Sequence, residues 1–187
     1  MFICFGAKEY KVKKVEQRVF RWKDVDSSKK WDLEHSGYYY ISKKGLDGKE
    51  QSYYFKPFFH ESARHGILVF EIAECLKKYT NKIKVYGAVR PDIIFEIDGK
   101  EWAFEIETGL NLKKHKKIVL KKVENLKENY GRRWFFVVTN RNCLKSYQRY
   151  GKTLTKRNVV GKINKIMREN GVDKICEKEP SGCENDF

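Results

Sequence analysis

The sequence predicts an α/β fold: a core in the order α-β-β-β-α-β, with a central mixed sheet flanked by helices, preceded by a β-rich extension. Three observations predict it. Apolar residues recur at a helical period near 60–80 and again over 111–130. Strand patterns flank an Asp98-Gly99 pair between those segments, and residues 1–59 are rich in Lys, Tyr and Phe in alternating runs. With 187 residues, 41% of them hydrophobic and 14% aromatic, the chain can bury a core of its own.

Taken in order, Tyr10 to Val15 and Val19 to Trp22 alternate as strands do. Gly37 to Ser42 and Gln51 to Phe55 read as a hairpin closed by the loop Lys43 to Lys49. From His60 to about Thr80, Ile67, Leu68, Phe70, Ile72, Ala73 and Leu76 mark the apolar face of a helix. Ile83 to Ala88, Ile93 to Ile97 and Trp102 to Thr108 are β-like, and Asp-Gly between the last two is a strong hairpin signal. Val119, Val123, Leu126 and Tyr130 predict a second helix, which Gly131 ends. Trp134 to Thr139 reads as a buried strand, and Lys156 to Asn170 as a last helix. The organisation is then an N-terminal β-rich extension (1–59), a core (60–172) and a polar tail (173–187).

Forty Lys and Arg face 25 Asp and Glu, a net charge of +15. Such an excess points to a polyanion partner, because neutralising phosphates releases condensed counterions. No window approaches the ~18 apolar residues of a membrane span, and the apolar stretch at the start is too short for a secretory signal. An intracellular (cytoplasmic) protein that does not engage membranes is expected. Cys4, Cys75, Cys143, Cys176 and Cys183 form no CxxC pair, so they are expected as free thiols.

The acidic residues are not scattered. With a two-residue turn at Asp98-Gly99, Ile97 faces Lys100, and counting back along both strands sets Asp92 opposite Glu105, Cβ atoms about 4.5–5.5 Å apart. Glu107 shares that face. Two carboxylates so placed repel, more so among apolar strands, and a divalent cation reverses the sign. Mg²⁺ suits such a pair, because it takes one or two carboxylates and keeps several waters. Glu96 and Glu101, opposed at the hairpin tip, are expected to be a solvated pair. In the same register Arg90 lies opposite Glu107 and is a candidate salt-bridge partner. His60 and His65 are five apart, which is not the His-Glu-x-x-His spacing of a zinc site, so they are expected at the helix start and partly packed.

Val89-Arg90-Pro91-Asp92, then Glu105-Ile106-Glu107, resembles the signature of the PD-(D/E)XK nuclease superfamily, and the element order resembles its restriction-endonuclease-like core. The pattern is similar to that of archaeal Holliday junction resolvases, with Glu61 at the position of their early helical Glu. The resemblance covers about 61–140. It implies Asp92 and Glu105 as ligands of Mg²⁺ (or Mn²⁺), Glu61 as an accessory ligand, and a symmetric homodimer. The family usually has Lys where Glu107 stands, and Glu107 is instead a candidate base or second-ion ligand. Some members carry the Lys on the following helix, where Lys113, Lys114, Lys116 and Lys117 are candidates. The Arg-Pro-Asp and Glu-Ile-Glu-Thr-Gly pattern is also similar to nuclease-like domains of replication-relaxation and mobilisation proteins, in which a winged-helix domain precedes the nuclease fold; Gly37 to Gly45 resembles a wing strand.

The expected activity is metal-dependent hydrolysis of DNA phosphodiester bonds, in double-stranded or branched DNA, as in recombination, replication or a mobile element. Lys114, Lys116, Lys117 and Lys121 would line a backbone groove, joined by Lys43 and Lys44 from the extension. Tyr38, Tyr39, Tyr53 and Tyr54 are expected first as sheet core, with stacking on unpaired bases as the alternative. Two other readings are a nuclease-fold DNA-binding protein that has lost cleavage, for which Glu107 argues, and a structural RNA-binding protein with merely superficial acids.

Overall fold

One turn sets the register of the larger sheet. Asp98 (φ 48°) and Gly99 (φ 73°) both take positive φ, as a two-residue primed turn requires. The computed structural model describes residues 17–57, 61–87, 90–109, 112 and 114–175. Among these, strands β4 (Ile83–Val85), β5 (Ile93–Ile97), β6 (Lys100–Glu107), β7 (Trp134–Val138) and β8 (Thr153–Thr155) form one sheet in that order. The pairs β4–β5 and β5–β6 are antiparallel, whereas β6–β7 and β7–β8 are parallel. Helices α2 (Ala63–Lys77), α3 (Lys116–Tyr130) and α5 (Val159–Glu169) flank it, with a short α4 (Leu144–Gln148) before β8. The result is an α/β architecture around a mixed sheet.

Alternation in the strands divides the core into two layers. Ile93, Phe95, Ile97, Phe104, Ile106, Phe135 and Val137 pack with Leu68, Val69, Ile72 and Leu76 of α2 and with Val159, Ile163, Ile166 and Met167 of α5. Ile94, Ala103, Phe136 and Val138 on the other face pack with Val119, Val123, Leu126 and Tyr130 of α3 and with Tyr147. Strand β7, Trp-Phe-Phe-Val-Val, is therefore covered on both sides and buried throughout, which is why it reads as a continuous apolar run.

The N-terminal region is a three-stranded antiparallel sheet in the order β1 (Val19–Arg21), β3 (Glu50–Phe55), β2 (Tyr39–Lys44). It is not wholly β, and this corrects the expectation from the alternating runs: α1 (Ser27–His35) follows β1, started by Asp26, whose carboxylate accepts the Lys29 N–H at 2.8 Å. Only Leu33 of α1 is buried, so its apolar stripe is too thin to read as a period. Val19, Tyr53 and Phe55 pack on Ile67 of α2, while Tyr38 and Tyr54 pack with Val25 and Leu33 on the opposite face. Gly66 lets Phe55 approach α2: a Cβ there would stand 2.5 Å from Phe55 Cε2.

This packing bears out the sheet-core reading for three of the four tyrosines and leaves only Tyr39 of them exposed. Tyr38, Tyr53 and Tyr54 are buried core residues, whereas Tyr39 and Tyr40 are exposed, together with Trp22 and Trp31. Cys75 and Cys143 are free thiols. Among the described residues no helix is long and apolar enough to cross a membrane. The strand expected at Tyr10 to Val15, His60, Lys113 and the tail from Cys176 lie outside the described residues.

Candidate metal centre

The acidic group gathers where β5 begins and β6 ends. Ile93 pairs with Phe104, and one step further Asp92 comes to the level of Glu105. Asp92 is fixed by its own side chain: Oδ2 accepts the backbone N–H of Ile106 at 2.7 Å. Glu105 is 2% exposed, and Glu107 is buried as well. Three carboxylates thus sit on the α3 side of the sheet, just beyond its apolar layer.

Glu105 is held in an electrostatically unfavourable place. Burial first, and then the charge of Asp92, push its carboxyl up to about 8, against the opposing pull of Lys122. The Lys122 ammonium forms an ion pair with Oε1, and that pairing holds it above its ordinary value although burial opposes the charge. Oε2 is buried and has no hydrogen-bond partner among the described residues. A buried acceptor left without a partner costs free energy, on the order of 1–3 kcal/mol, which a ligand can recover.

Lys122 does not stand out among the lysines of the sequence. Lys114, Lys116, Lys117 and Lys121 are exposed, and it is Lys122 that reaches the acids. A readable sign exists. Val119, Lys122, Val123 and Leu126 follow the i, i+3, i+4, i+7 phase of the buried stripe, so Lys122 has to point toward the sheet.

Glu61 does not stand beside Asp92; it is joined to it through His65. The imidazole Nδ1 lies 3.0 Å from Glu61 Oε1 and Nε2 lies 3.1 Å from Asp92 Oδ1. Burial works against a charged imidazole here, but hydrogen bonds and charge from Asp92 and Glu61 outweigh it and raise His65 to about 10. Glu61 is also ion-paired with Arg18, and despite its burial these cations hold its carboxyl below the usual range. His65 is thus more than the partly packed residue its sequence position suggests: it is a bridge. Its i, i+4 spacing from Glu61 is the readable sign.

Glu107 faces a different partner from the one expected. The Tyr147 hydroxyl donates to its Oε2 at 2.9 Å, and burial followed by the Glu107 charge raises that hydroxyl far above its ordinary value. Arg90, the partner that the register suggests, lies instead 5.1 Å over the ring of Tyr86 and donates to its hydroxyl at 3.2 Å. Glu96 and Glu101 do oppose each other at the hairpin tip, each satisfied by a lysine, Lys82 and Lys84 respectively.

Among the described residues no three His, Cys, Asp or Glu side chains converge as a ready-made cage for an ion. The donor set is a pair, Asp92 and Glu105. That fits a hard cation which retains waters, and the orphaned Glu105 Oε2 is an oxygen such an ion could use. A cavity of about 580 Å³ opens alongside, lined by Arg90, Lys121, Lys122, Asn125 and Asn129 among others. Searches with the chain against family models, curated proteins and solved structures found no match.

Proposed function

We propose that the protein is a metal-dependent DNA endonuclease of PD-(D/E)XK type, acting through the Asp92–Glu105 pair. The observation that carries this reading is the pair itself: two buried carboxylates at one sheet end, one with an orphaned oxygen, in a chain of net charge +15. His65 and Lys122 offset part of the repulsion between the two carboxylates, but Glu105 Oε2 keeps no partner among the described residues. The order α2-β4-β5-β6-α3-β7 and the resemblance around Asp92 and Glu105 support the same reading.

Mg²⁺ or Mn²⁺ held by Asp92 and Glu105 would supply Lewis-acid polarisation of a phosphate and a lowered water pKa. The chain's own residues do the rest. The Ile106 N–H fixes Asp92, and Lys122 orients Glu105 and offers the positive charge that the family draws from the position held here by Glu107. Arg90 and Lys121 on the neighbouring cavity, with Lys114, Lys116 and Lys117 on the same helical segment, meet backbone phosphates. Glu61, held by Arg18 and His65, supports Asp92 from a second tier.

A second reading, a DNA-binding protein that no longer cuts, is favoured by Glu107 being buried on the Tyr147 hydroxyl. One experiment separates them. Supercoiled, linear, single-stranded and branched DNA are incubated with the protein and Mn²⁺ or Mg²⁺, beside Asp92→Asn. Cleavage that EDTA and Asp92→Asn both abolish supports the nuclease; DNA binding with no cleavage of any substrate supports the binding protein. Cleavage that persists in Asp92→Asn overturns the site.

A further inference from the structure

A second cavity is bordered by both sheets and by α2. It measures about 210 Å³, has Ile67 and Leu68 of α2 in its wall, and is otherwise lined by Lys43 and Lys44 of β2, Arg64 and Glu71 of α2, Thr139 after β7 and Lys156 after β8. Four cations from three separate stretches of chain therefore face one small space. Glu71 is hydrogen-bonded elsewhere, its Oε1 accepting from Arg21 at 2.9 and 3.1 Å and its Oε2 accepting the Leu46 N–H at 3.3 Å, so its charge, though felt by Lys156, is shared with Arg21. Among the described residues, none of Lys43, Lys44, Arg64 and Lys156 forms an ion pair with a carboxylate.

Lys156 shows the consequence most clearly. Its ammonium is half-buried and donates to the Lys44 carbonyl, which offers a dipole but no counter-charge. Burial depresses its pKa, outweighing the opposing pull of the Glu71 and Asp47 charges. Like charges held together at the mouth of a cavity repel, and an anion in their midst reverses the sign. The volume limits that anion: it falls below the roughly 300–1,000 Å³ of sites that enclose a drug-sized ligand, so the cavity suits one oxyanion group and not a whole nucleotide. Position supports the same end. Arg64 precedes His65, which bonds Asp92, and the Thr139 N–H donates to the Glu107 carbonyl at 3.0 Å.

From this geometry we infer that the cavity is a phosphate-monoester site, which seats the terminal phosphate of a nucleic-acid strand on Lys43, Lys44, Arg64 and Lys156. A monoester carries a charge of about −1.5 to −2 at neutral pH, against −1 for an internal diester, so four cations favour the strand end. The naming of the phosphate's carrier rests on the nucleic-acid reading above. The site's preference for a phosphate dianion does not.

The test is fluorescence anisotropy of labelled oligonucleotides ending in 5′-phosphate, 3′-phosphate or hydroxyl, in EDTA, with inorganic phosphate as competitor. Wild type binds one phosphorylated end at least 5-fold more tightly than the hydroxyl end, and millimolar phosphate removes the advantage. Arg64→Gln, at an exposed helix position that does not threaten folding, and Lys156→Gln each remove it too. Equal binding of all three ends, or an advantage that survives both variants, overturns the proposal. Stabilisation by inorganic phosphate alone, with no end preference, overturns the strand-end assignment. Because binding is read without metal, a protein that fails to cleave can still pass this test.

Discussion

His65 carries opposite-charged neighbours on both ring nitrogens, and that makes its protonation a stability term. Its pKa rises from an ordinary value near 6.5 to about 10 on folding. A raised cationic pKa contributes stability that is fully present below pH 6.5 and is lost as pH climbs toward 10. In EDTA, His65→Ala is therefore expected to be less stable than wild type by roughly 1.5–3 kcal/mol at pH 6, the worth of a charged hydrogen bond, with the gap narrowing by pH 10. Urea unfolding at the two pH values checks the sign; a gap that widens contradicts it. Lys122 acts through Glu105. Lys122→Met leaves that carboxylate buried without its cation, so DNA cleavage should fall by about 100-fold, while DNA binding, which draws on many lysines, changes by less than about 3-fold.

At the scale of elements, the β5–β6 hairpin is what the sequence states most clearly. Asp98-Gly99 can form only a tight primed turn at low cost, so the register, and with it the meeting of Asp92 and Glu105, is legible in the residues themselves. Helix α1 is not, because it buries one residue and rests on its Asp26 cap. Strand β8 has three residues and α4 five, both shorter than a period can reveal. The partner of Glu107 is illegible for another reason: Tyr147 is 40 residues away, and only the path of the chain after β7 brings it back. The contact of the small sheet with α2 depends on Gly66. Gly66→Ala forces Phe55 aside and should cost roughly 1–3 kcal/mol, read as a lowered urea midpoint; no change would mean that Phe55 moves freely.

For the whole molecule, the charge of +15 resolves into two functions of opposite sign. In the proposed reading, lysines on α3 and around the small cavity would attract phosphate, while Asp92 and Glu105 would hold a cation. Affinity for DNA should therefore be strongly salt-dependent. About five phosphate contacts, each contributing ~0.9 to the slope, predict a roughly 500-fold loss between 50 and 200 mM salt, and a flat response would remove nucleic acid as the partner. The central claim is narrower: Asp92 and Glu105 bind a divalent cation. It is tested most directly by titrating the protein with Mn²⁺ and counting free ion by electron paramagnetic resonance, without DNA. The predicted result is a site in wild type that is weakened at least 10-fold by both Asp92→Asn and Glu105→Gln; identical Mn²⁺ binding in all three proteins would contradict it.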